Sequence, residues 1–383
     1  MMINSIYYAY LTIILMFISF DFFLIFKGYI NKRTIRLERG IKEFPNVNVY
    51  VPCKDANKTL VDNLTSILKQ DYPKFKVFFI VGNKDDRAYG VIQKLIRGND
   101  KGNLLVAGKA RTCCQKNQNL LCGIKKNNNA DIFIFFDSDH YYGKDTIKRL
   151  VISTTENPNN ISTTYFKIKS KDNMFSQLFM NSFASYQYVL ESALKFIWGG
   201  CMAISKDLFF KLGINEIWKK TAVDDTSIIN HIKKKKIGVN FLKLNIIQIS
   251  KKTTLSKAFK WAVRQIMYVK YYTRFLWIVL IINYFIKCLI IIFPVFAFLF
   301  MKELIFYYLS ALVFFILALV FSMMIYNKIS GTGFPFRMPF YSPIILCVGL
   351  VALIVSIFKN KMEWSGYTYL LEKNGKVKSI KFK

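Results

Sequence analysis

The chain has 383 residues, of which 53% are hydrophobic and 20% are charged, and its formal net charge is +32. This length holds one large domain with membrane segments, or two modest domains. A strongly basic balance is also typical of nucleic-acid binders, but the lysines are scattered and no zinc-finger, homeodomain or RNA-recognition signature accompanies them. We therefore expect no nucleic-acid partner. We favour a cytosolic domain that lies against anionic lipid, with lysine-rich genome composition as the other explanation.

The first predicted element is a membrane anchor. Residues 5–26 form an apolar run with one acid, Asp21, and a bilayer takes about 20 residues to cross. No basic segment precedes the run and no small-x-small cleavage site follows it, so we expect a retained signal-anchor. By the positive-inside rule, the basic residues directly after it place residues 45–272 in the cytoplasm. These residues are Lys27, Lys32, Arg33, Arg36, Arg39 and Lys42.

Residues 45–272 alternate apolar strands with helical stretches. Uniformly apolar strands that alternate with helices predict an α/β fold, a mostly parallel sheet flanked by helices. A later apolar and aromatic segment, residues 174–197, is interrupted by polar side chains and predicts an amphipathic helix on the membrane face. The predicted strands are 47–52, 77–81, 104–106 and 132–136, and the predicted helices are 59–70, 120–126 and one that ends at Ile96.

The fourth predicted strand ends in two acids separated by one residue, Asp137 and Asp139. Side chains at positions i and i+2 of an extended segment point the same way, so both carboxylates can face a ligand beyond the strand end. Two hard oxygen ligands suit Mg²⁺ or Mn²⁺ carrying a diphosphate, although a solvated turn uses the same pattern. His140 follows directly, and we expect a neutral turn residue there, with a residue that supports the metal ligands from behind as the alternative.

Three more apolar runs within residues 275–358 predict transmembrane or interfacial helices, and a basic tail, residues 359–383, follows them. We therefore expect an integral multi-pass membrane protein with a cytoplasmic catalytic domain. Three full crossings after that domain would put the tail outside, whereas its lysines favour the inside. A re-entrant or in-plane segment among the three would resolve the conflict. The runs are 275–301, 304–326 and 339–358.

A series of short motifs in a specific order resembles membrane-anchored family-2-type glycosyltransferases, and in particular the ceramide glucosyltransferase group. The resemblance covers nearly everything from Val47 to Gly375. Its motifs are Val51-Pro52-Cys53-Lys54, Asp62-Asn63-Leu64, Gln70-Asp71-Tyr72-Pro73, Lys84-Asp85-Asp86, Gln115-Lys116-Asn117-Gln118-Asn119-Leu120, Phe136-Asp137-Ser138-Asp139, Trp198-Gly199-Gly200-Cys201-Met202-Ala203, Trp218 with Val223-Asp224-Asp225, Trp261-Ala262-Val263-Arg264-Gln265 and Trp364-Ser365-Gly366-Tyr367-Thr368-Tyr369.

The resemblance implies a GT-A nucleotide-sugar domain with three functional acidic positions. Asp86 would hold the uridine of a UDP-sugar, where an exposed turn acid is the alternative. Asp137 and Asp139 would bind the Mg²⁺ or Mn²⁺ that bridges the donor diphosphate. Asp225 would take the proton from the attacking hydroxyl in an inverting transfer. Asp225 also begins an apparent helix, so an ordinary helix N-terminal acid is the alternative there.

The resemblance also assigns residues around the donor and acceptor. Lys54 and Lys116 would contact donor phosphate, unless they are ordinary surface lysines. The remaining set would contact the diphosphate or the acceptor: Trp198, Gly199, Gly200, Trp261, Arg264 and Gln265. For the two glycines a simple turn is the alternative, and for Trp261 it is core packing.

One departure separates the chain from processive polysaccharide synthases, which carry Q-x-x-R-W. Here Tyr268 and Val269 stand at the arginine and tryptophan positions after Gln265. This favours a W-x-x-R-Q branch that transfers a single sugar to a lipid. We therefore expect a hexosyltransferase that moves glucose from a UDP-sugar to a ceramide-like or diacylglycerol-like hydroxyl. The alternatives are a transferase that makes a polyprenyl-phosphate sugar or a short cell-surface glycan, and a non-catalytic membrane binding module.

Overall fold

The protein, as a computed structural model, is described here for residues 2–35, 37, 43–169, 174–249, 253–332 and 338–382. Three of the basic residues predicted to follow the anchor, Arg36, Arg39 and Lys42, lie outside these ranges. The strands are β1 (Lys32–Arg33), β2 (Val47–Pro52), β3 (Phe75–Val81), β4 (Gly102–Val106), β5 (Ile132–Phe136), β6 (Tyr141–Tyr142), β7 (Asn160–Thr163), β8 (Lys167–Lys169), β9 (Cys201–Ser205), β10 (Gly238–Leu242), β11 (Ile246–Ile249), β12 (Lys361–Trp364), β13 (Tyr367–Leu371) and β14 (Val377–Phe382).

The helices alternate with these strands through the first two thirds of the chain and dominate the last third. They are α1 (Met2–Ile30), α2 (Leu60–Leu68), α3 (Arg87–Leu95), α4 (Gln115–Lys126), α5 (Thr146–Glu156), α6 (Phe175–Leu194), α7 (Lys206–Lys211), α8 (Ile214–Trp218), α9 (Thr226–Lys234), α10 (Leu255–Tyr272), α11 (Arg274–Phe300), α12 (Ile305–Ser330) and α13 (Ser342–Phe358). Short 3-10 helices precede α12 and α13.

A central eight-stranded sheet organises the soluble domain, with strand order β1-β10-β7-β9-β5-β2-β3-β4. Strand β2 pairs in parallel with both β3 and β5, so the carboxyl ends of these strands meet at one edge. Strand β9 runs antiparallel to its neighbours β5 and β7. The predicted mostly parallel α/β sheet is therefore confirmed, and the predicted strands correspond to β2, β3, β4 and β5.

Both faces of the sheet are buried because its strands alternate large apolar side chains between two cores. In β5, Ile134 and Phe136 enter one core with the helices α2, α3 and α5, whereas Phe133 and Phe135 enter the other with α4, α7, α8 and α9. In any strand, successive side chains point to opposite faces of the sheet. Because each face meets helices, the sequence of β5 is continuously apolar rather than alternating.

The tail forms a three-stranded antiparallel sheet, β12-β13-β14, that packs on the soluble domain. The backbone N–H of Val377 donates to the Lys220 carbonyl over 2.8 Å, and Thr221 forms an isolated bridge with Lys376. Residues 361–382 are therefore part of the folded domain.

Four helices are long and apolar enough to cross a membrane, judged by length and composition among the described residues: Ser5–Ile30, Arg274–Phe300, Lys302–Ser330 and Pro339–Phe358. Their outward faces carry large exposed apolar side chains, such as Phe275, Phe306 and Phe358. Helices α1 and α11 meet inside the bundle through a buried ion pair, in which Lys287 Nζ lies 2.7 Å from Asp21 Oδ1. Exposed apolar faces with a charged pair kept inside the bundle are typical of helices in a membrane.

Helix α13 contacts the soluble part of the protein at both of its ends. Near its start, Tyr341 packs against Phe175 with ring centroids 5.9 Å apart. Near its end, Lys270 Nζ donates to the Ser356 carbonyl over 2.7 Å. Between these points α13 packs along α10. Because Phe175 belongs to α6 and Lys270 to α10, both ends of α13 lie beside helices of the domain between the first and second apolar spans.

Candidate active site

A cavity of about 520 Å³ opens beyond the carboxyl ends of β2 and β5. One part of its wall is polar and contains the acids Asp137, Asp139 and Asp225. Another part is apolar and contains Leu276 and Leu353, from helices α11 and α13. Ligands of open α/β sheets bind at this edge, and here the edge faces the apolar helices.

The acids after β5 form a group that could hold a metal ion. One ligand atom each from Asp137, Asp139 and His140 lie within 4.8 Å of one another, the only such group of three or more found among the described residues. Asp139 Oδ1 lies 2.7 Å from His140 Nδ1, and Asp139 Oδ2 accepts from Gln248 Nε2 over 3.1 Å. Carboxylate oxygens are the ligands that Mg²⁺ and Mn²⁺ prefer. His140 Nε2 is buried and has no hydrogen-bond partner among the residues that the structure describes. This donor set fits the expected cation.

The turn after β5 is fixed by Tyr142, whose hydroxyl donates to the Gly200 carbonyl over 2.6 Å and accepts from the Asp137 N–H over 2.9 Å. The His140 ring is 3% exposed and packs edge-on against Trp198, with ring centroids 4.9 Å apart. The prediction of a turn residue at His140 thus missed its burial against the site. Its position directly after the paired acids was the signal for a place beside them.

Lys116 links two acids of the cavity. Its Nζ lies 2.7 Å from Asp137 Oδ1 and 3.0 Å from Asp224 Oδ2. Burial by itself would lower the pKa of Lys116, but the carboxylates of Asp137, Asp224 and Asp225 outweigh it and hold that pKa well above its usual range. Burial raises the pKa of Asp224 to about 6; the Lys116 ammonium opposes the rise, and the carboxylates of Asp225 and Asp137 add to it.

Asp225 is held at the start of α9 with both carboxylate oxygens oriented. Its Oδ1 accepts from the Thr226 N–H, and its Oδ2 accepts from the Gly199 N–H over 2.8 Å. Asp225 is thus both the predicted helix N-terminal acid and a residue of the cavity wall. Backbone donors at a helix start thus fix the direction in which this carboxylate points.

The Gly199 N–H that donates to Asp225 lies in a loop formed by Trp198, Gly199 and Gly200. A Cβ atom on Gly199 would lie 2.1 Å from Asp224 Oδ2, and one on Gly200 would lie 2.0 Å from the Trp198 ring. The two glycines are required here because the Asp224 carboxylate and the Trp198 ring lie too close for a methyl group. Trp198 itself lines the cavity, whereas the glycines shape it from behind.

The predicted donor residues on the β2 and β3 sides are held by local contacts. Asp86 caps α3 by accepting from the Ala88 N–H over 2.9 Å, and also accepts from the Asp55 N–H over 2.9 Å. Asp55 lines the cavity, and Asp86 lies behind it. Lys54 donates to the Ser365 carbonyl and its Nζ lies 4.5 Å from the centroid of the Tyr367 ring, so the tail sheet borders the site.

Helix α10 contributes Trp261, Arg264 and Gln265 to the cavity wall. The Trp261 ring packs edge-on against Phe183 of α6, with centroids 5.3 Å apart. Arg264 Nε is buried and has no hydrogen-bond partner in the described part of the chain. A cationic side chain with an unused donor suits an anionic ligand group.

The cavity thus brings together most of the predicted site residues: Lys54, Lys116, Asp137, Asp139, Trp198, Asp225, Trp261, Arg264 and Gln265. It leaves Asp86, Gly199 and Gly200 just behind its wall. The sequence reasoning missed Asp224, Gln248, Trp364 and two polar residues of α6, Gln187 and Glu191. Asp224 and Trp364 stood in motifs of the resemblance, although no role was assigned to them; Gln187, Glu191 and Gln248 reach the cavity through long-range packing.

Comparisons with known proteins place this geometry in context. A family model described as glycosyl transferase family 21 matches residues 11–377, and this is the family of ceramide glucosyltransferases. The chain is similar in fold to the mannosyltransferase PcManGT from Pyrobaculum calidifontis, solved with GDP-Man and Mn²⁺: 12% identity, TM-score 0.50, 90% of this chain and 99% of that one. It also matches GalNAc-T7, solved with UDP, GalNAc and Mn²⁺: 13% identity, TM-score 0.41, 60% of this chain and 49% of that one. The fold is GT-A-like, as predicted.

Proposed function

Because the chain belongs to glycosyl transferase family 21, we propose that it moves a hexose, glucose by family resemblance, from a UDP-sugar to a hydroxyl of a membrane lipid such as ceramide or diacylglycerol. One observation carries this proposal. A single cavity joins the acids Asp137, Asp139 and Asp225 to an apolar wall built by Leu276 and Leu353 of the membrane helices. A soluble acceptor needs no such wall, whereas a lipid hydroxyl can reach Asp225 with its chains still among apolar helices.

The donor occupies the polar part of the cavity in this proposal. Asp137 and Asp139, with His140, would hold Mg²⁺ or Mn²⁺, and this cation would supply positive charge for the departing diphosphate. Asp86 holds the uridine by way of the Asp55 loop. Lys54 and Arg264 contact the phosphates, and Lys116, already between Asp137 and Asp224, adds a positive charge.

Asp225 is the general base. The acceptor oxygen attacks the anomeric carbon and forms the new glycosidic bond while the bond to the UDP oxygen breaks, and the hydroxyl proton passes to Asp225. Both of its oxygens are oriented by backbone N–H donors, and each oxygen keeps a further lone pair that can accept the hydroxyl proton. A single displacement of this kind inverts the anomeric configuration.

The chemistry takes place at the cytoplasmic leaflet, with α1, α11 and α12 crossing the membrane and α13 lying along its surface. The contacts at both ends of α13 support this arrangement. It also returns the basic tail to the cytoplasmic side, where its lysines are expected.

The test is transfer of radiolabel from UDP-glucose, UDP-galactose and GDP-mannose into extractable lipid by detergent-solubilised protein. The acceptors are ceramide, diacylglycerol and polyprenyl phosphate, each in separate mixed micelles. Label in ceramide or diacylglycerol from a UDP-hexose supports the proposal. Label only in polyprenyl phosphate contradicts it in favour of a polyprenyl-phosphate sugar synthase, and donor binding without any transfer favours a binding module.

A further inference from the structure

Helix α6 carries two polar side chains on the face that lines the cavity. Gln187 and Glu191 are four residues apart, and Gln187 Nε2 donates to Glu191 Oε1 over 2.9 Å. Both belong to the cavity wall, and Glu191 is 8% exposed. A glutamate side chain is rarely buried unless another group pairs with its charge.

Each of the two side chains also has one oxygen that takes no part in this hydrogen bond. Gln187 Oε1 and Glu191 Oε2 are buried without a hydrogen-bond partner in the described part of the chain. No ion pair to Glu191 forms among the described residues. Burial, and next the Asp225 carboxylate, raise the pKa of Glu191 well above its usual range, which favours the protonated carboxyl. A neutral carboxyl whose Oε1 accepts from Gln187 presents an O–H donor at Oε2.

Glu191 Oε2 therefore offers a hydrogen-bond donor, and Gln187 Oε1, on the neighbouring side chain, offers an acceptor. An amide group, or a pair of neighbouring hydroxyl and carbonyl groups, complements this arrangement with its own acceptor and donor. The position is also suitable, because Asp225, Glu191, Leu190 and Leu280 all line the same cavity. A lipid with its attacking hydroxyl at Asp225 and its chains at the leucines places its linking groups beside α6.

We propose that Gln187 and Glu191 bind the linkage region of the acceptor and select a lipid that has a hydrogen-bond donor, an amide N–H or a second hydroxyl, beside the hydroxyl that is glycosylated. This inference rests on the proposed function and specifies its acceptor. A diacylglycerol has only ester oxygens there, which accept from Glu191 but leave the Gln187 carbonyl oxygen unpaired. A buried unpaired oxygen is costly, and this cost is the basis of selection.

The experiment compares kcat/KM for N-acylsphingosine and for 1,2-diacylglycerol of matched acyl length, in mixed micelles with saturating UDP-sugar. In wild type we expect N-acylsphingosine to be preferred at least about 10-fold. In Gln187→Met we expect its kcat/KM to fall about 10- to 100-fold, with diacylglycerol unchanged within about threefold. In Glu191→Gln, which keeps a donor of the same shape, we expect the preference to remain.

The matched control is Gln177→Met. Gln177 lies on the same helix, donates to Asn181 four residues on over 3.2 Å, and also has an unpartnered buried Oε1, but it does not line the cavity. We expect this variant to keep the wild-type preference. If Gln187→Met does not fold, Gln187→Asn, which draws the carbonyl back by one methylene, should give a smaller fall in the same direction.

Several results would overturn the inference. These are an equal loss with both lipids in Gln187→Met, the same shift of preference in Gln177→Met, or a wild type that prefers diacylglycerol. Each of them leaves glycolipid synthesis itself standing. A wild type that transfers to neither lipid overturns the proposed function, and this inference with it.

Discussion

The backbone N–H of Gly199 donates a hydrogen bond to the carboxylate of Asp225, with 2.8 Å between Gly199 N and Asp225 Oδ2. The same glycine lies against Asp224, whose Oδ2 would be 2.1 Å from a Cβ atom at position 199. One residue without a side chain therefore allows both acids to occupy the wall of the cavity. The orientation of the proposed base depends on this close approach.

Replacing Gly199 with alanine should impair the transferase reaction far more than the fold. The added methyl group must displace Asp224 or the loop, and the donor to Asp225 moves with it. We expect kcat to fall at least about 100-fold, as when an orienting hydrogen bond is lost at an active site. Gly90→Ala is the control, since a Cβ there meets nothing within 4 Å. Equal activity of both variants would show that the loop does not orient the base.

Lys116→Met should destabilise the protein, because it leaves the buried Asp224 beside Asp137 without its counter-charge. Breaking a buried pair costs about 3–5 kcal/mol, so the apparent melting temperature in detergent should drop clearly. The double variant Lys116→Met/Asp224→Asn should recover at least half of the loss. Lys219→Met, which removes an exposed pair with Glu216, should have little effect. A double variant no more stable than Lys116→Met would refute the coupling.

Removing divalent cations should abolish transfer, and Mn²⁺ or Mg²⁺ should restore it. Asp137→Asn and Asp139→Asn should each raise the metal concentration for half-maximal activity by at least about 10-fold, since each removes a charged oxygen ligand. Asp85→Asn, at an exposed turn acid, is the control. Full activity after exhaustive chelation, confirmed by metal analysis, would be incompatible with this role of the acids.

The sidedness of α13 can be measured by cysteine labelling in sealed vesicles, in a background with Cys347 replaced by serine. Tyr341→Cys and Lys359→Cys, at the two ends of the helix, should react from the same side as Lys126→Cys in the soluble domain. Glu303→Cys, between α11 and α12, should react from the other side. Labelling of the two α13 ends from opposite sides would mean that this helix spans the membrane.

The sequence predicts those parts of the protein that arise from local pattern. The apolar run of β5 predicts a strand buried on both faces, which the structure has, and the structure also places the paired acids at the sheet edge, where ligands were predicted. Length and hydropathy predict the four long apolar helices. The resemblance, rather than any pattern, identified Lys116 and Asp225, because a single lysine or a helix N-terminal acid has many ordinary uses.

Contacts between distant segments could not be predicted in this way. Nothing near Glu191 in sequence indicates that α6 turns it toward a cavity bordered by α10 and α11. Likewise the tail residue Ser365 reaches Lys54, more than 300 positions earlier in the chain. The position of α13 depends on its packing along α10, whereas its composition is that of a spanning helix. These features follow from tertiary packing, which overrides local composition.

The central claim is that Asp225 deprotonates a lipid hydroxyl attacking a UDP-hexose. The most direct test measures glycolipid formation and UDP binding side by side for wild type and Asp225→Asn, which keeps the size of the side chain and loses its basicity. We predict Mn²⁺-dependent glycolipid synthesis by the wild type, a fall of at least about 1,000-fold in the variant, and UDP affinity unchanged within about threefold. Glycolipid synthesis by Asp225→Asn at a rate close to that of wild type would contradict the account.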